Sequence, residues 1–536
     1  MNTPLLTTLA AGLACLFAGT ASAQTLKIGL ASEPTAVDPH YHQTTPNEAL
    51  IYHIFQPLVA MNADMQLQPA LAKSWEATDD TTWTFKLDER ARFSNGEPFT
   101  AQDVVFSFCR ILNNETAIGG GLTNVARRIV AIETPDAHTV HLKTAAPYPV
   151  LPNELARAPM IWSGIAKHDQ LHYAPKEGCG VTSAWPTVAD FNKGDMVVGT
   201  GPYLLKSYVK GTGVVLERNP QYWGDAPAWE QVRMTAVPAA GPRLTGLLAG
   251  DFDLIENPAA RDLKRIKDSG FAHTIKPSVR VMFFQLDAGR EQSPLVKSPK
   301  GDNPLQNAQV RQAMSLAIDR KTIVQRIMDG VAEPANQFIP PGMFGSIEGA
   351  PPLEYNPKKA KELLAQAGYP DGFELTLSAT NDRYINDAQL TQAVAQYLSR
   401  IGIKTQVDTM TRSVYFPKRA KKEMSASLGG WGSETGEASN FLQYWITTRN
   451  PELGVGSSNY GAYSNPELDK VYLQAVRTLD DDKRSALLQQ AVKIALDEMP
   501  SIPLHFESGV WAYRSDIQYE GRADQRTMAT AARPAQ

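Results

Sequence analysis

Apolar and polar positions alternate most regularly in the second half of the chain, where they predict helices and strands in turn. Pro357 suits the first turn of a helix with one apolar face, and Gly368 ends it. Two strands, at 373–377 and 403–407, enclose a helix at 386–401 whose apolar residues fall on one face. A strand, a helix and a strand with tight connections form a βαβ unit, which implies a sheet covered on both faces. The pattern therefore predicts a mixed α/β protein.

A second regular stretch lies nearer the N-terminus. Residues 83–87 alternate apolar and polar side chains with the period of two that is typical of a half-buried strand. Asn95-Gly96 then marks a turn. Thr100, with Asp103 three residues later, predicts a capping box at the start of a helix.

The first 23 residues form a separate segment. Residues 5–17 are mostly apolar, and 21–23 give the small-x-small pattern that signal peptidase requires before Gln24. The apolar run is too short for a permanent membrane helix. We interpret residues 1–23 as a cleaved signal peptide, with a buried N-terminal helix as the alternative, and expect the mature protein in the periplasm.

Length and charge narrow the class of protein further. The chain has 536 residues, 43% of them hydrophobic, and this length is too great for one core, so two or three compact units are expected. The formal net charge is only −4, and no block of six basic residues occurs. A nucleic-acid-binding or polybasic membrane surface is therefore not expected.

Two cysteines, Cys109 and Cys179, remain after removal of the signal peptide. An exported protein can oxidise such a pair to a disulfide, but nothing in the sequence fixes the separation of the two residues. Cys109 falls on a predicted helix among apolar residues, so a buried thiol is the alternative. No CxxC motif and no zinc-binding spacing occurs.

The sequence lacks the motifs of the common enzyme chemistries. It contains no HExxH, no GxSxG elbow, no phosphate-binding loop and no GxGxxG after a strand. Ser433 has no histidine nearby in sequence to act as a base. His40 and His42, like His138 and His141, are interpreted as surface or capping residues rather than metal ligands. We therefore expect a protein that is not an enzyme and that needs no cofactor and no metal.

Several segments resemble one family in both content and order. The matching segments are LAKSWE at 71–76, the strand at 83–87, FSNGEPFTAQDVVFS at 93–107, GTGPY at 199–203, ERNP at 217–220, YW at 222–223, GDFD at 250–253 and VRQA at 310–313. Together they are similar to the peptide/nickel/opine solute-binding proteins of ABC importers, also called the oligopeptide- and dipeptide-binding protein family (solute-binding protein family 5). The resemblance covers essentially the whole mature chain.

The resemblance implies an architecture. The family has the α/β fold of a two-lobed periplasmic binding protein (type II, like the peptide-binding proteins), with an extra subdomain inserted in the first lobe. On this chain the first lobe would comprise residues 24–60, 190–278 and 497–536, the inserted subdomain residues 61–189, and the second lobe residues 279–496. The βαβ unit predicted from the apolar pattern lies inside that second lobe.

The resemblance also implies a ligand site after residue 430. Peptide receptors of this family hold the α-amine of the ligand with an acidic residue three positions after a tryptophan, and Glu434 stands where they usually have aspartate, three positions after Trp431. An enclosed ammonium needs such an anionic partner. The alternative is that Glu434 and Glu437 are solvated loop carboxylates. Trp431 follows two glycines and is interpreted as an aromatic plate against the ligand, or else as a core tryptophan.

Arg383 is the second candidate residue, with Tyr384 beside it. It follows a predicted strand at the carboxyl end, where open α/β sheets bind ligands. Dipeptide receptors pair an arginine in the matching loop with the terminal carboxylate of the peptide, which a guanidinium binds with two hydrogen bonds. The alternative is a surface arginine bridging Asp382 or Asp387.

These expectations combine into one function. The chain is expected to be an extracytoplasmic receptor, a monomer, that delivers a small ligand to the membrane subunits of an ABC importer. The two charged ends, Glu434 and Arg383, suggest a zwitterionic ligand such as a short peptide. The alternatives are the same fold binding a nickel chelate, haem, an opine or an oligosaccharide, and an exported enzyme such as a peptidase, against which the lack of motifs argues.

Overall fold

The computed structural model describes residues 24–115 and 121–535. The signal peptide predicted for residues 1–23 lies outside the described residues. Across the two described ranges, no helix combines the length and the apolar character that a membrane crossing requires.

Strands and helices alternate along most of the chain. The strands are β1 Thr25–Leu30, β2 Val59–Met61, β3 Leu67–Pro69, β4 Ala72–Asp79, β5 Thr82–Leu87, β6 Ile129–Asp136, β7 Thr139–Thr144, β8 Tyr203–Val209, β9 Gly213–Arg218, β10 Gln231–Ala236, β11 Leu254–Glu256, β12 Phe271–Leu286, β13 Val296–Lys297, β14 Ala332–Pro334, β15 Glu374–Thr380, β16 Lys404–Met410, β17 Ala426–Gly432, β18 Ser501–Arg514, β19 Ile517–Tyr519 and β20 Ala532–Pro534. The helices are α1 Thr45–Ile54, α2 Ala101–Asn113, α3 Gly121–Arg128, α4 Leu151–Leu155, α5 Val188–Lys193, α6 Ala240–Ala249, α7 Leu263–Asp268, α8 Ala308–Leu316, α9 Arg320–Arg326, α10 Pro357–Gln366, α11 Asp387–Arg400, α12 Arg412–Ala420, α13 Ala438–Phe441, α14 Pro466–Ala475 and α15 Asp481–Glu498.

One large mixed sheet extends through the molecule. Its strand order is β13-β15-β17-β12-β18-β11-β1-β10-β9-β8, with β16 added on β15 and β14 on β18. Strands β15 and β16 are parallel, with Glu374 opposite Lys404 and Thr380 opposite Met410, and α11 connects them. The βαβ unit predicted from the apolar pattern is therefore confirmed.

A separate four-stranded antiparallel sheet, in the order β4-β5-β7-β6, forms between residues 72 and 144. The strand predicted at 83–87 lies within β5. The backbone amide of Thr100 donates to the carboxylate of Asp103 over 2.9 Å, which forms the capping box predicted at the start of α2. Phe85 of β5 and Leu26 of β1 belong to one apolar core, so the small sheet and the first strand of the large sheet share that core.

Apolar side chains of the described residues form several buried cores, of which three are large. The first core contains residues from Leu26 to Ala532, including the small sheet. The second contains Met282 and the third contains Phe283, which are successive residues of β12 and therefore point to opposite faces of the sheet. We call the residues around the first core the first lobe and those around the other two the second lobe. The residue boundaries derived from the family resemblance stay predictions.

A buried ion pair joins α2 to the segment that follows β1. The two Nη atoms of Arg110 each donate to one carboxylate oxygen of Asp38 over 2.6 Å, and neither side chain is exposed to solvent. Arg110 Nη2 also donates to the carbonyl oxygen of Pro186 over 2.9 Å. Both charges are therefore paired and hydrogen-bonded in a place that water does not reach, which is the condition for keeping them there.

A disulfide bond joins Cys109 to Cys179, with 6.3 Å between the Cα atoms. Both residues are also fully buried. Of the two alternatives that the sequence left open, the structure has the disulfide, which ties the end of α2 to a segment 70 residues later.

Strands β12 and β18 run side by side through both lobes. Their pairing is irregular at 277–281 of β12, where three residues face only Glu507 of β18. Within this irregularity, the amide of Val279 donates to the carbonyl of Ala523 over 3.0 Å, and the carbonyl of Val279 accepts from the amide of Ser433 over 3.2 Å. Ala523 belongs to the first lobe and Ser433 to the second, so the irregular point of the crossing strands is bonded to both. An interrupted ladder of this kind is where a sheet bends most easily.

Three histidines are fully surrounded by protein. Burial lowers the pKa of His40, of His53 and of His505 to about 4. His40 was expected at the surface or in a cap, and that expectation is wrong, because its Nε2 lies 2.8 Å from the carbonyl oxygen of Pro159 in the interior. His53 is bonded at both nitrogens, to the carbonyl of Ala49 and the amide of Ala529. His505, on β18, differs, since neither of its ring nitrogens has a hydrogen-bond partner among the described residues.

We predict that His505→Leu makes the protein less sensitive to acid. The unfolded chain takes up a proton on this histidine below pH 6.5, whereas the folded protein resists it down to about pH 4, so His505 lowers stability as pH falls through that window. The slope is about 1.4 kcal/mol per pH unit for one such group. Urea unfolding at pH 7 and pH 5 should show a loss of stability about 2 kcal/mol smaller in the variant than in the wild type. His172→Leu, at an exposed position, controls for the loss of a histidine. An unchanged difference between the two pH values in His505→Leu would contradict the prediction.

Candidate functional site

Strand β17 carries Trp431 near its carboxyl end, one residue before Gly432. The strand lies between β12 and β15, and its glycines allow close packing. A Cβ atom on Gly430 would lie 2.6 Å from both Met282 Sδ and Tyr384 Cε1, so only glycine leaves room for the Tyr384 ring. The Tyr384 hydroxyl donates to the carbonyl of Gly430 over 3.4 Å. Two of the predicted site residues are thus neighbours of Gly430: Trp431 follows it in the chain, and the ring of Tyr384 packs against it.

Trp431 combines features of the two readings given for it. Its indole Nε1 donates to Asn440 Oδ1 over 2.7 Å, and its ring packs at an angle against Tyr444 and Trp445, with centroids 5.2 and 5.7 Å away. The residue is half-buried, so part of the ring remains in contact with solvent. The aromatic cluster fixes the orientation of the ring without covering it.

Glu434 follows the end of β17 and forms an ion pair across the lobes. Its carboxylate contacts the guanidinium of Arg157, and the side chain of Glu434 is 28% exposed. The same guanidinium lies 3.3 Å from Glu48 of the first lobe. The reading of Glu434 as a solvated loop carboxylate does not fit this position. In this structure Glu434 already has a cationic partner.

The pair continues into a chain of alternating charges in the first lobe. Arg526 Nη2 donates to Glu48 over 2.8 Å, and Asp524 lies between Arg526, at 3.2 Å, and Arg522, at 2.6 Å. With Glu434 and Arg157 added, three carboxylates face three guanidinium groups. The charges of this network balance, and its members are mostly buried, with Glu434 and Arg157 the most exposed among them.

The two carboxylates that share Arg157 differ in acidity. Burial raises the pKa of Glu434, and the opposing effect of Arg157 does not cancel it. Burial acts in the same direction on Glu48, but the combined attraction of Arg526 and Arg157 outweighs it and lowers the pKa of Glu48. Glu434 is therefore the less firmly ionised partner of Arg157.

Glu437 has a structural position instead. Its carboxylate accepts a hydrogen bond from Arg484 Nη1 over 2.7 Å, and only 1% of its side chain is exposed. Arg484 also lies over the ring of Phe344, 4.0 Å from the centroid. The reading of Glu437 as a solvated carboxylate is wrong, because this residue fixes α15 to the segment before α13.

Arg383 lies in the loop between β15 and α11, as the sequence predicted. Its guanidinium stacks on the ring of Tyr384, 4.9 Å from the centroid. The backbone amides of Arg383 and Tyr384 both donate to Asp387 over 3.2 Å, and the hydroxyl of Thr380 donates to the same carboxylate over 2.7 Å. Asp387 thus binds the backbone of the loop and does not bind the guanidinium of Arg383.

The guanidinium of Arg383 has no ion-pair or hydrogen-bond partner in the parts of the chain that the structure describes. The bridge to Asp382 or Asp387, given as the alternative, is not formed. Although the side chain is partly exposed, the surrounding protein removes much of its hydration and so lowers the pKa of Arg383, and the nearby Arg280 acts in the same direction. Such a cation favours the approach of an anion.

Arg280 and Glu507 are site residues that sequence reasoning missed. They lie in the irregular stretch of β12 and β18, with Arg280 Nε 3.3 Å from Glu507 Oε2. Burial raises the pKa of Glu507, against the effects of Arg280 and Arg383. The charge of Arg280 also acts on both Glu434 and Arg383, in the direction that lowers the pKa of each. No motif in the sequence marks either residue.

The site offers ion pairing and stacking. Among residues 24–115 and 121–535, no group of three His, Cys, Asp or Glu side chains is placed to hold a metal ion. The site contains the guanidinium of Arg383, which is unpaired within those residues, the exposed part of the Trp431 ring and the carboxylate of Glu434, which pairs with an arginine. Such a set can bind and orient a charged ligand.

Comparison with known proteins places the chain in one family. A family model described as bacterial extracellular solute-binding proteins, family 5, middle region, matches residues 66–452. The probable D,D-dipeptide-binding periplasmic protein DdpA of Escherichia coli (strain K12) is 27% identical over 505 residues, covering 92% of this chain and 90% of that protein. Heme-binding protein A of Haemophilus influenzae is 28% identical over 469 residues, covering 83% and 79%.

The fold agrees with a solved structure of the periplasmic binding protein DppA from Helicobacter pylori in complex with the peptide STSA. The TM-score is 0.74 at 21% sequence identity, covering 96% of this chain and 98% of that one. The predicted α/β fold of a two-lobed periplasmic binding protein is therefore confirmed. The chain belongs to the bacterial extracellular solute-binding proteins of family 5.

Proposed function

We propose that this protein is a periplasmic receptor that captures a short peptide between its lobes and delivers it to the membrane subunits of an ABC importer. The observation that carries the proposal is Arg383, a guanidinium without a partner among the described residues, stacked on Tyr384 beside the crossing strands. An exposed cation without a partner among the described residues is suited to a carboxylate. Short peptides present one at the C-terminus.

Arg383 binds the carboxylate end of the peptide in this proposal. Its planar fork matches the two carboxylate oxygens, and stacking on Tyr384 limits the motion of the side chain before the ligand arrives. Trp431 lies along the ligand and contributes an aromatic surface. Glu434 binds the α-amine at the other end, after its carboxylate has been released by Arg157.

Closure of the lobes then buries the ligand. The irregular pairing around Val279 lets β12 and β18 bend while the ladders on either side keep each lobe rigid. Between the charged ends, the peptide backbone can pair with a strand edge, which gives affinity with little dependence on side chains. Binding and release complete the function, and the protein performs no chemistry on the ligand. The receptor acts as a monomer.

Two relatives support the ligand class. The probable D,D-dipeptide-binding protein DdpA is similar over 92% of this chain. The peptide complex of DppA shares the fold. Both names describe capture of short peptides in the periplasm.

A second candidate ligand is a polyanionic compound such as haem, whose propionates are carboxylates. The observation that favours it is the ion pair of Glu434 with Arg157, which occupies the predicted amine-binding carboxylate, while Arg383 has no partner among the described residues. The similarity to heme-binding protein A of Haemophilus influenzae agrees with this alternative.

Thermal unfolding of residues 24–536 against peptide pools tests the proposal. Each di- to pentapeptide is added as the free form, the N-acetylated form and the C-amidated form, with haem in parallel. A ligand at a hundred times its Kd adds about 2.7 kcal/mol of stability, which raises the midpoint by several degrees. A rise with free peptides that amidation abolishes supports the receptor function, and the acetylated series reports whether the amine is recognised. No rise with any peptide, combined with a rise with haem, would replace the peptide proposal by the second candidate.

A further inference from the structure

We propose that Arg157 is a specificity-determining residue that occupies Glu434 in competition with the ammonium group of a ligand. The inference rests on the proposed function, because it concerns how the same cleft discriminates among peptides. In this structure the guanidinium of Arg157 takes the place on Glu434 that the ligand's amine would take. A guanidinium of the protein thus occupies the carboxylate that would bind the amine of the ligand.

The contact between Arg157 and Glu434 is exchangeable because of the other partners that these residues have. Glu434 has no second ion-pair partner within the described residues, whereas Arg157 also lies 3.3 Å from Glu48. Glu48 is held in turn by Arg526, whose Nη2 is 2.8 Å away. If Arg157 leaves Glu434, it remains beside Glu48, and Glu48 remains paired. Displacement of Arg157 from Glu434 therefore leaves no buried charge unpaired, so its energetic cost is small.

Charge balance makes the competition selective. The network contains equal numbers of carboxylates and guanidinium groups, so a bound ammonium adds one positive charge close to Arg157. Like charges at this range repel, and the ammonium must displace the guanidinium before it reaches the carboxylate. A ligand with a blocked or absent amine does not compete for Glu434. Arg157 therefore lowers the affinity for free peptides and does not lower the affinity for amine-free ligands.

The same contact holds the lobes together. Arg157 belongs to the first lobe and Glu434 to the second, and a neighbouring hydrogen bond from Asn153 Nδ2 to the carbonyl of Thr435, 2.8 Å long, crosses between the same segments. Both bonds are available without a ligand. The unliganded protein consequently spends more time closed than it would without Arg157.

Two variants test the inference. We expect them to change the distance between the lobes in the same direction and the affinity for free peptides in opposite directions. Arg157→Gln and Glu434→Gln both remove the contact between the lobes. Both should lengthen the distance between spin labels on Val130→Cys and Val414→Cys, exposed positions of the first and second lobe, in the unliganded protein. For a free dipeptide or tripeptide, Arg157→Gln should tighten binding about tenfold, on the scale of one charge-assisted hydrogen bond. Glu434→Gln should weaken it.

The controls separate this role from a general effect of charge. Lys276→Gln removes a cation that pairs with Asp64 on the first-lobe side of the crossing strands, and it should change neither the label distance nor the affinity. N-acetylated peptides leave the contact between Arg157 and Glu434 in place, so Arg157→Gln should not tighten their binding. Weaker binding of the free peptide in Arg157→Gln would overturn the inference, since Arg157 would then contact the ligand directly. Unchanged label distances in both variants would overturn it as well. If no peptide binds wild type or any variant, the proposed function is wrong and the inference falls with it.

Discussion

Replacing Arg383 by glutamine is expected to weaken the binding of a free peptide about a hundredfold. The guanidinium has no other ion-pair partner in the described chain, so the variant loses only the contact with the ligand. A bidentate pair with a carboxylate contributes about 1.5 to 3 kcal/mol per charge-assisted hydrogen bond, and a hundredfold change corresponds to about 2.7 kcal/mol. Isothermal titration at low and moderate salt measures the change. Stability without ligand should remain the same within error.

The amidated peptide supplies an internal check on this result. Wild type should bind the C-amidated form about as weakly as Arg383→Gln binds the free acid, because each lacks one partner of the same pair. Arg400→Gln is the matched control, since Arg400 is also exposed and stacks on a neighbouring tyrosine, Tyr397, 5.2 Å from the centroid. It should leave the affinity unchanged. Equal affinities of Arg383→Gln and wild type for the free acid would remove Arg383 from the site.

Replacing Asp38 by alanine is expected to lower the free energy of unfolding by about 3 to 5 kcal/mol, the cost of leaving a buried charge unpaired. Among the described residues, Arg110 would retain only the carbonyl of Pro186 as a hydrogen-bond acceptor, in a place without solvent. The loss should be visible as a lower urea midpoint with an unchanged slope. The affinity for ligand should change little, since this pair lies between α2 and the segment after β1 and not in the cleft.

A double variant distinguishes an unpaired charge from a simple loss of packing. Asp38→Leu with Arg110→Met removes both charges and should recover much of the lost stability, because apolar replacements of a buried pair are often neutral. Asp268→Ala, which breaks the exposed pair with Lys264, should shift the midpoint very little. A small effect of Asp38→Ala, similar to that of Asp268→Ala, would show that water reaches Arg110 in solution.

The fold could be predicted where local chemistry decides the structure. The capping box at Thr100, the turn at Asn95-Gly96 and the βαβ unit from 373 to 407 all follow from periodicity and from residues that begin or end elements. The long antiparallel pairing of β12 with β18 could not be read in this way. It joins residues more than 200 positions apart, and its register depends on the packing of both lobes.

The sequence predicted several residues of the candidate site, but it did not predict their ion-pair partners. Arg383 lies at the carboxyl end of a strand, and Trp431 and Glu434 follow two glycines, all features that a sequence displays. The ion pair of Glu434 with Arg157 joins residues that are distant in the chain and carry no motif. Arg280 and Glu507 meet only because an irregularity aligns them across two strands. Charge partners of this kind are set by tertiary structure, so periodicity does not reveal them.

The position of β18 has a consequence for how the chain is made. This strand lies between β11 and β12 in the central sheet, yet it comes from residues 501–514 of a chain of 536. A polypeptide that emerges N-terminus first cannot join the two halves of its sheet until almost all of it is available. Pairings over such long separations form slowly, so the growing chain stays incompletely folded. A translocation channel accepts a chain in this state. A product that stops before residue 501 would leave the edges of β11, β12 and β14 that face β18 unpaired, and unpaired edges of this kind promote aggregation.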